Sequence, residues 1–260
     1  MIFAKTVNDK INEMFNLEFS PQLFVSLLVM LLVLIIFLII GHKAKKAKID
    51  EKPKGLFLIG ILFFQLIDGL TLSIMDKKYR NFTRIILVIV PYIFISFIIS
   101  LTGLPSPIVY LATPLSLALI TFSQVHYTAI KENRWGYFKR YVEPVAVFLP
   151  INLISMWAPT LALTFRLFGN AISGFCIMNI VYYSLETLSN FIFTGDMITG
   201  AIGVQSIFIA PIITPVLHLY FDLFSGFIQT LVFSILTLIY VSQEQASEDD
   251  NQIIEEVTSY

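Results

Sequence analysis

The 260-residue chain is 57% hydrophobic and 14% aromatic, with a mean hydropathy of +0.80 and a net charge of −1. This composition excludes an ordinary soluble domain and fits a polytopic membrane protein. Cys176 is the sole cysteine, so intrachain disulfides and cysteine-based metal sites are excluded, and His42, His126 and His218 form no ligand cluster in the sequence.

Residues 1–22 are expected to lie outside the membrane. The run Leu23–Ile40 is apolar except for Ser26, long enough to cross a hydrocarbon core, and expected to be a retained helix. It ends in Gly41-His-Lys-Ala-Lys-Lys-Ala-Lys48, which the positive-inside rule places in the cytoplasm. The next apolar segment, 56–75, is interrupted by Gln65, Asp68 and Thr71 and followed by Lys77, Lys78, Arg80 and Arg84. Basic flanks on both sides predict an amphipathic helix lying in the interface. A hairpin follows over residues 85–127, with Ile85–Leu101 crossing outward, an uncharged link Thr102–Pro107, and Ile108–Val125 returning. Residues 128–143, with Lys131, Arg134, Lys139 and Arg140, read as a cytoplasmic loop. Residues 144–241 form a second, much longer hairpin, turned by a loop from Glu186 to Gln205 that holds no lysine or arginine. The acidic tail 242–260 reads as solvated and cytoplasmic.

The predicted fold is therefore an all-α integral membrane protein with five transmembrane helices and one interfacial amphipathic helix. The last two helices are long enough to require tilting or an interfacial stretch. No internal repeat supports the inverted-repeat architecture of many secondary transporters.

Arg166 sits within this apolar body, with no acidic residue between Glu143 and Glu186. Its guanidinium cannot be neutralised, and at mid-bilayer a charge costs about 2.5–3.5 kcal/mol on insertion scales. Such a residue points to ion movement. At helical spacing Asn170 and Ser173 share its face, while Gly169 and Gly174 leave room for another helix. In the last segment Asp222, Ser225, Gly226 and Gln229 also share one face, with His218 a turn earlier. Each has a plainer reading. Asn170, Ser173 and Gln229 could bond between helices, His218 could be a satisfied interface residue, and Glu186 and Asp196 could be solvated loop carboxylates. Asp222 could cap a helix after Pro215 or pair structurally with Arg166.

These stretches together resemble subunit a of the rotary F-type ATP synthase, in its bacterial form. The resemblance is carried by Glu143-Pro-Val-Ala-Val-Phe-Leu-Pro-Ile-Asn-Leu-Ile154, Leu163-Thr-Phe-Arg-Leu-Phe-Gly-Asn170, Tyr220-Phe-Asp-Leu-Phe-Ser-Gly-Phe-Ile-Gln229 and Val232-Phe-Ser-Ile-Leu-Thr-Leu-Ile-Tyr240. It implies a proton-translocating stator subunit whose last two helices lie against the c-ring. Arg166 then matches the essential stator arginine, Gln229 its neighbour on the facing helix, and Asn170 a polar channel residue. Asp222 falls where the family places a polar or ionisable half-channel group. Many bacterial members carry glutamate or histidine nine residues after the arginine, where this chain has Phe175, and Ser155-Met156 replaces an acidic pair. Asp222, His218 and Glu186 are the available substitutes, with Ser173 also on the expected path. The implied partners are the c-ring, subunit b of the peripheral stalk, the F1 sector indirectly, and the lipid bilayer. The implied location is the bacterial plasma membrane, with an organellar inner membrane as the alternative. No cofactor, metal or nucleic-acid partner is expected, and no Gly-rich phosphate loop indicates nucleotide binding. Two other readings stay open: a transporter or channel in which Arg166 binds an anion, and a stator homologue that conducts poorly because of Phe175, Ser155 and Met156.

Overall fold

The computed structural model describes residues 21–46, 53–133, 149–194 and 210–244. The expected N-terminal segment, the basic loop with Lys139 and Arg140, the turn containing Asp196 and the acidic tail lie outside the described residues.

Helix α1, Pro21–Lys46, continues through the lysine cluster, where Lys43, Lys45 and Lys46 occupy its last turn. Lysine and alanine are good helix formers, and cations complement the C-terminal end of the helix dipole. Helix α2 is Leu56–Ile74, and α3 is Phe82–Ile98, which tightens into a 3₁₀ turn over Ile99–Thr102. Gly103 ends that turn at φ 83, a left-handed conformation that favours glycine. The Ser106 hydroxyl donates to the Ser96 carbonyl at 2.6 Å, pinning the link between helices back onto α3. A second 3₁₀ turn, Pro107–Val109, leads into α4, Ala112–Asn133. Helix α5 runs unbroken from Leu149 to Thr194, and α6, Ala210–His218, passes through a π-helical stretch, Leu219–Phe224, into α7, Ser225–Ser242.

Five helices are long and apolar enough to cross a membrane, as expected, but their membership differs from the sequence reading. By length and composition Leu56–Ile74 qualifies, whereas α4 does not. Of the three polar residues that suggested an interfacial α2, two face inward, while Gln65 is exposed. Asp68 and Thr71 are buried, and Arg80 grips Asp68 through Nε at 3.0 Å and Nη2 at 2.5 Å while Thr83 donates to it at 3.2 Å. Beside this clamp, Lys78 donates to Glu132 at 3.0 Å and ties the α2–α3 turn to α4. That hydrogen bond holds the Lys78 ammonium above its ordinary pKa.

The central core joins Ile89, Ile93 and Phe97 of α3 to Leu117 and Ala118 of α4, Leu163, Leu167 and Ala171 of α5, and Phe233 of α7. Between lipid-embedded helices the hydrophobic effect gives little drive, so close backbone approach and interhelical hydrogen bonds matter more. Both are present. A Cβ on Gly226 would stand 2.7 Å from Phe97 Cβ, so α7 meets α3 where only a hydrogen fits. The hydroxyls of Thr121 and Thr237 join α4 to α7 at 3.1 Å, and those of Ser26 and Tyr92 join α1 to α3 at 2.9 Å. Other buried hydroxyls, including Thr71, Thr164, Thr230 and Ser234, donate to carbonyls one turn back.

The 46 residues of α5 correspond to about 69 Å at 1.5 Å per residue, against a hydrocarbon core of about 30 Å. Such a helix cannot stand upright within the bilayer. Pro159 lies inside it, tolerated where neighbouring helices and nearby hydroxyls satisfy the backbone. Because α5 reaches Thr194, Glu186 belongs to a helix and not to the expected loop.

Two outcomes test this packing. Gly226→Ala should destabilise the subunit by about 1–3 kcal/mol through overpacking against Phe97, read as a lowered thermal midpoint in detergent, while Gly41→Ala should leave it unchanged. Arg80→Leu should also lower the midpoint, because it strands a buried carboxylate. Asp68→Leu combined with Arg80→Leu should recover part of that loss.

Candidate functional site

Helix α5 and the α6–α7 segment place the sequence-marked residues between two recesses. The larger is a cavity of about 460 Å³ under the Gly103–Ser106 link. Asn170, Gly174, Phe175, Asn179 and Tyr182 of α5 line it, facing His218, Phe221 and Asp222. The smaller, about 120 Å³, lies further toward the other ends of the same helices and is lined by Ser155, Met156, Thr160 and Leu163 of α5, with Tyr240, Gln243 and Glu244 opposite. His126 and Thr121 of α4 complete its wall.

Along α5 one recess therefore spans Ser155–Leu163 and the other Asn170–Tyr182, with Arg166 in the gap. Along the last segment they span Tyr240–Glu244 and His218–Asp222, with Gln229 in the gap. Arg166 is exposed and makes no hydrogen bond or ion pair with any described residue. Gln229 is half-buried.

Asp222 does not pair with Arg166. Its Oδ2 lies 2.5 Å from His218 Nδ1, and His218 Nε2 lies 2.7 Å from the Tyr182 hydroxyl. Asp222 lies on the π-helical stretch that precedes α7. Asp222 instead looks into the larger cavity, Gly226 is buried against Phe97, and Ser225 donates to Asn170 Oδ1 at 2.8 Å. Asn170 Nδ2 is buried and has no partner among the described residues.

The remaining expected residues divide. Ser173 is exposed and donates to the Asn170 carbonyl within its own helix, so it is not joined to the cavity group. Glu186 is exposed on α5, one turn beyond Tyr182, and does not line the cavity. Gly174 leaves ordinary van der Waals room for Phe221 of the last segment, as expected, whereas Gly169 faces open space. Tyr182 and Asn179 went unmarked in the sequence. Tyr182 was indistinguishable from the membrane-belt aromatics, although its spacing of seven from Phe175 places the two near one helical face. Among the described residues no group of three or more His, Cys, Asp or Glu could hold a metal.

An ion-path arrangement on this fold can be set beside known proteins. The pattern described as ATP synthase A chain matches residues 23–242. The chain belongs to the ATP synthase A chain family. Curated relatives named ATP synthase subunit a include that of Mycoplasmoides gallisepticum, 27% identical over 228 residues, covering 81% of this chain and 75% of the relative. That of Mycoplasma genitalium is 30% identical over 225 residues, covering 80% and 74%. A third, from Propionigenium modestum and described as sodium ion specific, is 32% identical over 156 residues, covering 59% of this chain and 44% of its own. The chain is thus a multi-pass protein of the bacterial plasma membrane and a membrane subunit of the ATP synthase, in its ion-transporting Fo sector. The anion-transporter reading gives way to this family.

If the larger cavity holds water, a thiol placed on its wall will ionise and react there. In a Cys176→Ser background, Asn179→Cys should be labelled by a membrane-impermeant thiol reagent from one face of the membrane only. Absence of labelling from both faces would mean a dry cavity.

Proposed function

We propose that the two recesses belong to two aqueous half-channels and that Arg166 separates them at the rotor surface. The observation that carries this reading is their offset placement on both long helices, with Arg166 and Gln229 in the gaps. By the positive-inside argument the larger cavity opens to the outside and the smaller recess to the cytoplasm. The c-ring packs against the exposed face of α5 that bears Arg166, and the long tilted helices follow its curved wall. Subunit b and, through it, the F1 sector complete the assembly.

A rotor carboxylate arriving opposite Arg166 loses its proton there. At about 4 Å and an effective dielectric near 20, the opposite charges attract by about 4 kcal/mol. That lowers the carboxylate's pKa and favours the ionised form. It is also modest enough for the rotor site to leave once reprotonated. The fixed positive charge keeps protons from passing directly between the half-channels. Each unit charge falling through about 100 mV supplies about 2.3 kcal/mol, so several must pass for each phosphorylation driven elsewhere in the complex.

Asp222 serves as the outer carboxylate, with His218 beside it, and it supplies the acid missing at Phe175 on the opposite wall of the same cavity. Asn170, with a buried amide donor still to be satisfied, stands between this pair and Arg166 along the path. This arrangement favours a conducting stator over a silent homologue.

In inverted vesicles carrying the intact complex, Arg166→Ala should abolish ATP-driven proton pumping at unchanged assembly with the rotor. Unchanged pumping would remove Arg166 from the ion path and with it this reading.

A further inference from the structure

The larger cavity contains a hydroxyl that the ion path as proposed does not use. Tyr182 on α5 and Asp222 on the π-helical stretch bind opposite nitrogens of the same imidazole, at 2.7 and 2.5 Å, and all three side chains line the cavity. We infer that Tyr182 is a positioning residue that fixes the His218 tautomer and makes Tyr182–His218–Asp222 a single proton relay into the outer half-channel. The inference rests on the half-channel reading above.

The chemistry follows from donor and acceptor counts. An ionised Asp222 only accepts, so the ring nitrogen facing it, Nδ1, must carry a proton. In the neutral ring Nε2 is then bare and accepts from the Tyr182 hydroxyl. Without that hydroxyl, cavity water can solvate either nitrogen, and the tautomer that presents a bare Nδ1 to the carboxylate is no longer selected against. Tyr182 thus acts on Asp222 through the ring.

The same arrangement moves a proton in balanced steps. Cavity water delivers a proton to the Tyr182 oxygen as the phenolic proton passes to Nε2, leaving the phenol neutral and the ring an imidazolium. The Nδ1 proton then passes to Asp222 Oδ2, so the ring is again neutral and the carboxylate has become a carboxylic acid. When Asp222 hands its proton onward, exchange with cavity water removes the Nε2 proton and restores one at Nδ1. One proton has entered, one has left, and no other reactant is consumed.

Among the described residues few charged groups stand near this cluster. The wall formed by the link contributes Ser100 and Ser106, whose hydroxyls donate to backbone carbonyls. On α5 the charged side chains are Glu186, one turn beyond Tyr182 and exposed, and Arg166, about 12 Å of helix rise at 1.5 Å per residue from Gly174, which Phe221 beside Asp222 touches. The last segment contributes Asp222 itself, with Tyr220 exposed. The ionisable side chains that line the cavity are therefore Tyr182, His218 and Asp222.

The test uses the intact complex in inverted vesicles, whose lumen corresponds to the outer side. ATP-driven pumping is followed with luminal pH set between about 5 and 8, the range in which imidazole titrates. Tyr182→Phe keeps the ring and removes only the hydroxyl. It should lower the rate about fivefold, the rate equivalent of one neutral hydrogen bond, and displace the inflection of the pH profile. His218→Gln should flatten the profile, and the double variant should be no slower than His218→Gln alone. A Tyr182→Phe complex with the wild-type profile, whether slower or not, overturns the inference. If that variant does not assemble, an unflattened profile for His218→Gln overturns it equally. Arg166→Ala measured alongside separates the two claims: a dead Arg166→Ala with a wild-type Tyr182→Phe profile rejects only the relay.

Discussion

A guanidinium on the exposed face of a long apolar helix imposes the constraint around which this chain is organised. Arg166 cannot lose its charge, and no described side chain neutralises it. Stability alone would favour an apolar residue there, or a carboxylate packed against it. The nearest candidate for that role, Asp222, is committed to His218 instead. The charge therefore stays available to something outside the chain. That availability requires a rigid support, because a long arginine side chain could otherwise swing to any acceptor within reach. Leu163 and Leu167, on either side of Arg166 in α5, are both buried in the central core with Phe97 and Phe233, and they fix the helix face from which Arg166 projects.

The same core separates the two recesses. Phe97 meets α7 at Gly226, where a Cβ would collide, and Leu163 closes the smaller recess from within. Close packing of this kind between Thr160 and Asn170 is what the proposed separation of two half-channels requires. Polar groups are correspondingly sorted toward the two ends, with Asn170, Tyr182, His218 and Asp222 in one recess and Ser155, Thr121 and Glu244 in the other. Buried hydroxyls in the barrier itself, those of Thr164 and Thr230, donate to their own helix and offer no donor chain across it.

Much of this was legible from the sequence, for identifiable reasons. Apolar length marks membrane helices almost irrespective of context, so the two long final segments and the α3 crossing could be read directly. Arg166 stood out because a charge within an apolar run has few harmless explanations. For α2 patterning is ambiguous: an interfacial helix and a bundle helix both show a polar stripe, and the sequence could not foresee Arg80 folding back onto Asp68. The sequence marked Asp222 but not its bond to His218, and nothing in Leu219–Phe224 announces the π-helical stretch that carries it. Tyr182 was lost among the chain's 11 tyrosines, since a belt aromatic and a hydroxyl bound to a histidine have the same letter.

Under the proposed function, Asp222 can stand in for an acid at Phe175 without any movement of the helices. A carboxylate bordering a water-filled cavity communicates through the water it shares with its neighbours, not through a fixed contact with one of them. Moving the acid from α5 to the facing segment preserves access, provided it still lines the same volume. Asp222 and Phe175 do line one volume, and His218 supplies Asp222 with the donor that a carboxylate in partly apolar surroundings requires. The imidazole in turn needs a partner for its second nitrogen, and Tyr182 provides it. Phe175 on one wall thus faces an Asp222 held by His218, which Tyr182 reaches from the helix of Phe175 itself, and the guanidinium in the gap is left as it was.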